Sequence, residues 1–151
     1  MSDNRTLFIE EAIIGAVKRL LAERVNEILS EWDILIPVIE FSHIGNGFAV
    51  ASVVSLSTCE RTEKERIIRQ DAYSLTVTFT LQEHEDGELY CYGYAYSFEK
   101  ALGENVTLGG IVDRAVITGK KYIPPKKTNC GEGWGLVITL RLTVEGVGNA
   151  C

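Results

Sequence analysis

Thiols, imidazoles, paired carboxylates and glycine-rich loops are the groups that could do chemistry in this chain, and their spacing argues against each. Four cysteines, Cys59, Cys91, Cys130 and Cys151, stand singly, with no Cys-x-x-Cys pair among them. Structural zinc draws on closely spaced thiolates, so this pattern does not fit a finger or a ribbon. The opening Met-Ser-Asp-Asn-Arg-Thr has no basic stretch followed by an apolar one, so neither a signal peptide nor a disulfide framework is expected. The thiols read as small apolar side chains, with Cys151 exposed. His43 beside Gly45-Asn46-Gly47, and His84 within Glu83-His84-Glu85-Asp86, each lack a second histidine at ligand spacing. A Cys–His nucleophilic pair has no local support. Gly131-Glu132-Gly133-Trp134-Gly135 has the composition of a phosphate loop, but it leads into a strand and opens no helix. Glu63/Glu65 and Glu83/Glu85 suit a solvent-facing edge better than an acid/base pair. No catalytic residue, cofactor or metal is expected.

Charge is more informative. With 15 Lys+Arg against 21 Asp+Glu the formal net charge is −6, which argues against nonspecific nucleic-acid binding. At 46% apolar and 24% charged residues the composition is that of a globular protein. Its 151 residues suit one domain, 1–151, that buries roughly 70% of its unfolded surface. No apolar run approaches the ~18 residues of a membrane span. Glu83, Glu85, Asp86 and Glu88 form an acidic cluster, and Lys120, Lys121, Lys126 and Lys127 a basic one. The lysines fall in Lys120–Gly135, which reads as one long irregular loop containing Pro124-Pro125. The two clusters are either solubilising charge or the two sides of a head-to-tail contact. Tyr122 and Ile123 add apolar area that a lone monomer has little reason to expose. The proline pair limits the loop's freedom before docking, so the loop is expected to project and touch a neighbouring molecule.

The elements that would position these groups follow from periodicity. Phe8, Ile9, Ala12, Ile13, Ala16, Val17, Leu20, Leu21, Val25, Ile28 and Leu29 recur at spacings of three and four, which predicts an amphipathic helix over roughly 7–30. Its stripe should bury Ile13, Val17, Leu20 and Leu21 against a sheet. Pro37 opens an extended run from Ile36 to Phe41, and Ala49–Ser57 reads as a second strand after a glycine turn. The charge-balanced run 60–71 is a solvated connection or a strand extension. Leu75, Val77, Phe79 and Leu81 alternate with Ser74, Thr76, Thr78 and Thr80, and Leu136 to Val144 repeats the pattern. Such half-wet strands indicate an antiparallel sheet covered on one side. The β-branched run Ile111–Thr118 is expected to pair with the last strand. Residues 88–102 are balanced between two readings. Tyr90, Tyr92, Tyr94, Tyr96 and Phe98 alternate after Asp86-Gly87, as in a hairpin. Cys91, Ala95, Phe98 and Leu102 form a helical stripe, with Gly103 placed as a C′ glycine.

The order of elements is recognisable. A long helix leads to Ile36-Pro37-Val38-Ile39; a charged stretch precedes the alternating strand Tyr73–Leu81. A segment ending Glu99-Lys100-Ala101-Leu102-Gly103-Glu104-Asn105 then runs into Thr107-Leu108-Gly109-Gly110-Ile111-Val112-Asp113 and a final strand. This layout resembles the tail terminator (tail completion) family of tailed bacteriophages and phage-derived elements. In that family a helix precedes a Thr-Leu-Gly-Gly-like turn, which tips 88–102 towards helix. The resemblance implies an α+β domain with a second helix packed on an antiparallel sheet, assembled with copies of itself into a ring, a hexamer by analogy. Such a ring caps the tail tube and joins it to the head completion proteins. Its partners would be the tail tube protein and a head–tail joining protein, its place the virion tail or neck, and the bacterial cytoplasm during assembly. It implies no enzyme activity and no cofactor. The alternatives are another neck or connector protein, or a small ligand-binding or enzymatic α+β domain.

Overall fold

The computed structural model describes residues 8–31, 39–40, 49–64, 68–126 and 132–147. Pro37, His43, the Gly45-Asn46-Gly47 turn, Lys127, Cys130 and Cys151 lie outside them. A helical rod starts at α1 (Ile9–Leu20), passes through one π turn (Leu21–Val25) and ends in α2 (Asn26–Glu31). Then come β1 (Ile39–Glu40), β2 (Ala49–Lys64), β3 (Ile68–Gln82), α3 (Gly87–Gly103), β4 (Arg114–Ile123) and β5 (Glu132–Val147). The strands form one sheet in the order β1-β2-β3-β5-β4. The pairings β2–β3, β3–β5 and β5–β4 are antiparallel. The protein is an α+β domain.

Burial follows the periodicities. Ile13, Val17 and Leu21 are fully buried and Leu20 nearly so, while Glu11, Lys18, Arg19 and Glu23 face outward. On β3, Leu75, Val77, Phe79 and Leu81 sit against Leu136, Ile138, Leu140 and Leu142 of β5, and both rows are buried. Helices cover this face from two sides. The Tyr73 hydroxyl donates to Glu10 of α1, and the start of α3 packs on Trp134 of β5. The other face presents Ser74, Thr76, Thr78 and Thr80 beside Val137, Thr139, Arg141 and Thr143. Thr80 and Arg141 on it are exposed and the others half-buried.

Some expectations change. β1 joins β2 in parallel, Ile39 opposite Ala49, so the sheet carries one parallel edge. The described residues of the run 60–71 are strand extension: β2 reaches Lys64 and β3 begins at Ile68, with Arg61 gripping Asp71 through two hydrogen bonds. The strand expected at Ile111–Thr118 starts later and ends later, because 106–113 is turn. Gly103 is the last helical residue and has no positive φ. The left-handed conformations come instead at Leu108 (φ 52°), Gly109 (73°) and Gly110 (92°). Asn105 Oδ1 and Thr107 Oγ1 hold that turn by accepting the amides of Gly109 and Gly110.

Candidate functional site

The largest correction concerns the segment expected to be a loop. Lys120–Ile123 is strand, paired residue by residue with Ile138–Gly135, and β5 begins at Glu132. Residues 124–126, directly after β4, are irregular. A register shift between Ile117 and Gly119 decides where its side chains go. Plain alternation from Ala115 and Ile117 would turn Lys121 and Ile123 towards the helices. The extra residue places Lys120 opposite Ile138 and Tyr122 opposite Leu136, both on the covered face. Lys120 Nζ therefore reaches Glu99 Oε1 of α3 at 3.0 Å, and Tyr122 packs edge-on against Tyr92 at 5.3 Å between centroids. The carboxylate holds the Lys120 ammonium above its ordinary pKa. Lys121, Ile123 and Lys126 are exposed. β4 is also a sheet edge, where lysines and a bulge discourage stray strand pairing.

Glu83, Glu85 and Asp86 lie in the exposed turn between β3 and α3. The turn is tied by the Asp86 amide donating to His84 Nδ1 at 3.0 Å and by the tilted stacking of His84 on Tyr90. Since Gln82 pairs with Glu132, and Ile123 with Gly135, this turn and the C-terminal end of β4 share one end of the sheet. Acidic and basic residues thus occur together, not on the two sides that a head-to-tail contact built from them would need.

Glycine at the start of β5 serves packing. A Cβ on Gly133 would run into the Gln82 carbonyl where β3 and β5 break register, and one on Gly87 would come within 2.8 Å of Trp134. Cys91 is buried, and desolvation pushes its thiol up to about 11, as suits a small apolar residue. Among the described residues no cluster of His, Cys, Asp or Glu could hold a metal ion, and no helix is long and apolar enough to cross a membrane.

Sequence reasoning missed two features. The first is a groove of about 280 Å³ between the rod and the 105–110 turn, lined by Arg19, Arg24, Leu20 and Asn105 among others. Arg24 is fully engaged there, donating to Glu104 at 2.7 and 3.0 Å and to Glu27 at 2.7 Å, which depresses the Glu104 carboxyl. The second is the outer face of α3, where Leu89, Tyr92 and Tyr96 are exposed. The alternating tyrosines concealed it, because only a helix sorts them into buried Tyr94 and exposed Tyr92 and Tyr96. No family model matches this chain, and no similar protein is found among the curated ones.

Proposed function

We propose that this protein is a structural virion-assembly subunit of the tail-terminator kind. It assembles with copies of itself into a ring that caps a tail tube and meets a head–tail joining protein. The observation that supports this reading is α3. Local rules left 88–102 balanced between hairpin and helix, and the terminator layout required a helix running into a Thr-Leu-Gly-Gly turn. The segment is a helix from Gly87 to Gly103, and Leu108-Gly109-Gly110 forms a left-handed turn directly after it. The long rod, the central strand and the closing β4–β5 hairpin stand in the same order.

In this reading the exposed end of the sheet, with Glu83, Glu85, Asp86, Lys121, Ile123 and Lys126, meets the ring neighbour or the tube. The role is scaffolding, without a catalytic step. The test is mass measurement and negative-stain imaging of the purified protein, alone and mixed with tail tubes of a candidate phage. Ring-sized particles seated on tube ends are the expected result. A protein that stays monomeric or dimeric and leaves tube ends bare would end the proposal. Replacing Lys121 and Lys126 with Glu should weaken seating at low salt without changing the melt, because neither lysine packs in the core.

A further inference from the structure

β4 is one edge of the sheet, and part of its outer side is open. Ala115, Lys120 and Tyr122 stand opposite Leu142, Ile138 and Leu136, one alternating row of β5. Peptide groups along an antiparallel strand turn alternately towards and away from the partner, so these three turn the same way. That way is outward, because the Ala115 amide donates to the Val106 carbonyl at 2.7 Å and not to β5. Among the described residues, the peptide groups of Lys120 and Tyr122 meet no such partner. The open stretch is short. Val106 closes it on one side, and Pro124, which has no amide, ends it on the other.

We propose that this edge takes an extended acidic segment of another protein as an added strand, hydrogen-bonded to the backbone of Lys120 and Tyr122. Such a strand completes a ladder that the sheet leaves unfinished, and its side chains fall alternately on the two faces. On the covered face they would meet Tyr122 and the Tyr92 ring packed against it. On the other face they would meet exposed Lys121 and Ile123. Lys121 makes no ion pair among the described residues, so a carboxylate on the incoming strand complements it. Like charges opposed on paired strands repel. A second β4 would add its own Lys120 and Lys121 to the same edge, which disfavours pairing between copies. This chain's acidic cluster is no substitute, since it is held in the turn before α3 and in the first turn of that helix. The occupant is therefore a foreign segment. The inference deepens the assembly role, and rests on it only for which protein carries the segment.

The probe is a blocked peptide of alternating valine and glutamate, titrated into the whole protein without tail tubes. Hydrogen exchange should slow at the Lys120 and Tyr122 amides and change little at Gly119 and Lys121, which turn towards β5. Lys120→Pro removes an outward amide but spares the ladder with β5, so it should weaken binding about tenfold or more. Lys120→Met loses the same ammonium, keeps the amide, and should bind within about threefold of wild type. Lys121→Glu should lose the glutamate peptide and gain its lysine counterpart, with an unchanged melt. The inference is overturned by a probe that does not bind, or by protection that falls elsewhere than Lys120 and Tyr122. It is equally overturned if Lys120→Pro binds as well as Lys120→Met, or if wild type takes glutamate and lysine peptides alike. The lysines would then serve only to keep strands away. Rings seated on tubes by a protein that ignores the probe would leave the assembly role standing. Probe binding by a protein that forms no ring would do the reverse.

Discussion

Lys120 Nζ donates to Glu99 Oε1 across 3.0 Å, tying the edge strand β4 to the outer side of α3. The pair exists because a bulge two residues earlier turns Lys120 to the helical face, where a lysine at the next position would have pointed away. Both side chains are partly exposed, at 32% and 46%, so water screens their attraction. A double-mutant cycle of Lys120→Met and Glu99→Gln should give a coupling of ~0.2–1 kcal/mol that shrinks with added salt. Because the folded pKa of Lys120 is raised, this contribution is complete below its ordinary value of 10.5 and is lost as pH climbs through the higher folded value. Coupling that persists unchanged at high salt would mean that packing, not charge, joins the two elements.

The rod's apolar stripe makes a graded prediction. Leu21 is wholly buried within the π turn, whereas Leu20 retains 8% exposure at the lip of the groove. Truncation of either leaves a cavity, in the usual range of ~2–5 kcal/mol for leucine to alanine. Leu21→Ala should fall towards the upper end and Leu20→Ala towards the lower, because the open groove lets neighbours and water close the gap. Equal chemical-denaturation midpoints for the two variants would contradict this placement.

Two glycines should respond to alanine in opposite directions. Gly103 is helical, and an added Cβ would meet nothing within 4 Å, so Gly103→Ala should stabilise by ~0.4–1 kcal/mol through the unfolded chain's lost freedom. Gly109 has equal space but a φ of +73°, where a Cβ meets its own backbone. Gly109→Ala should therefore destabilise by ~1–2 kcal/mol. Thermal melts compare the pair directly, and a stabilised Gly109→Ala protein would mean that the left-handed turn is not held in solution.

Cys91 supplies a pH and labelling test. Burial keeps its thiol protonated to about 11, while Cys59 is exposed. At mildly alkaline pH, iodoacetamide should modify the Cys59 peptide quickly and the Cys91 peptide only after denaturation, as read by mass spectrometry. The folded protein holds this proton more tightly than the unfolded chain. Its stabilising share is therefore intact below 9 and declines as pH rises towards 11. Rapid Cys91 labelling of the native protein would show that α3 lifts from β5.

The sequence by itself determined the elements whose burial is periodic. The rod, β3 and β5 carry stripes of period near four or two that only one conformation can bury, and Leu20 or Val77 needs no distant partner to announce its side. What it left open were cases in which two local patterns compete, or in which one inserted residue changes the outcome. The tyrosines of 88–102 fit a strand as well as a helix, and only docking of Tyr94 and Phe98 into the core beside Phe79 made the helical choice pay. Lys120 and Tyr122 read as loop because prolines and glycines follow them, whereas pairing with β5 extends the strand through both. The bulge at Ile117–Gly119 then turned both of them towards α3 in place of Lys121 and Ile123. Register is a property of two strands together, so no reading of one segment could have decided it.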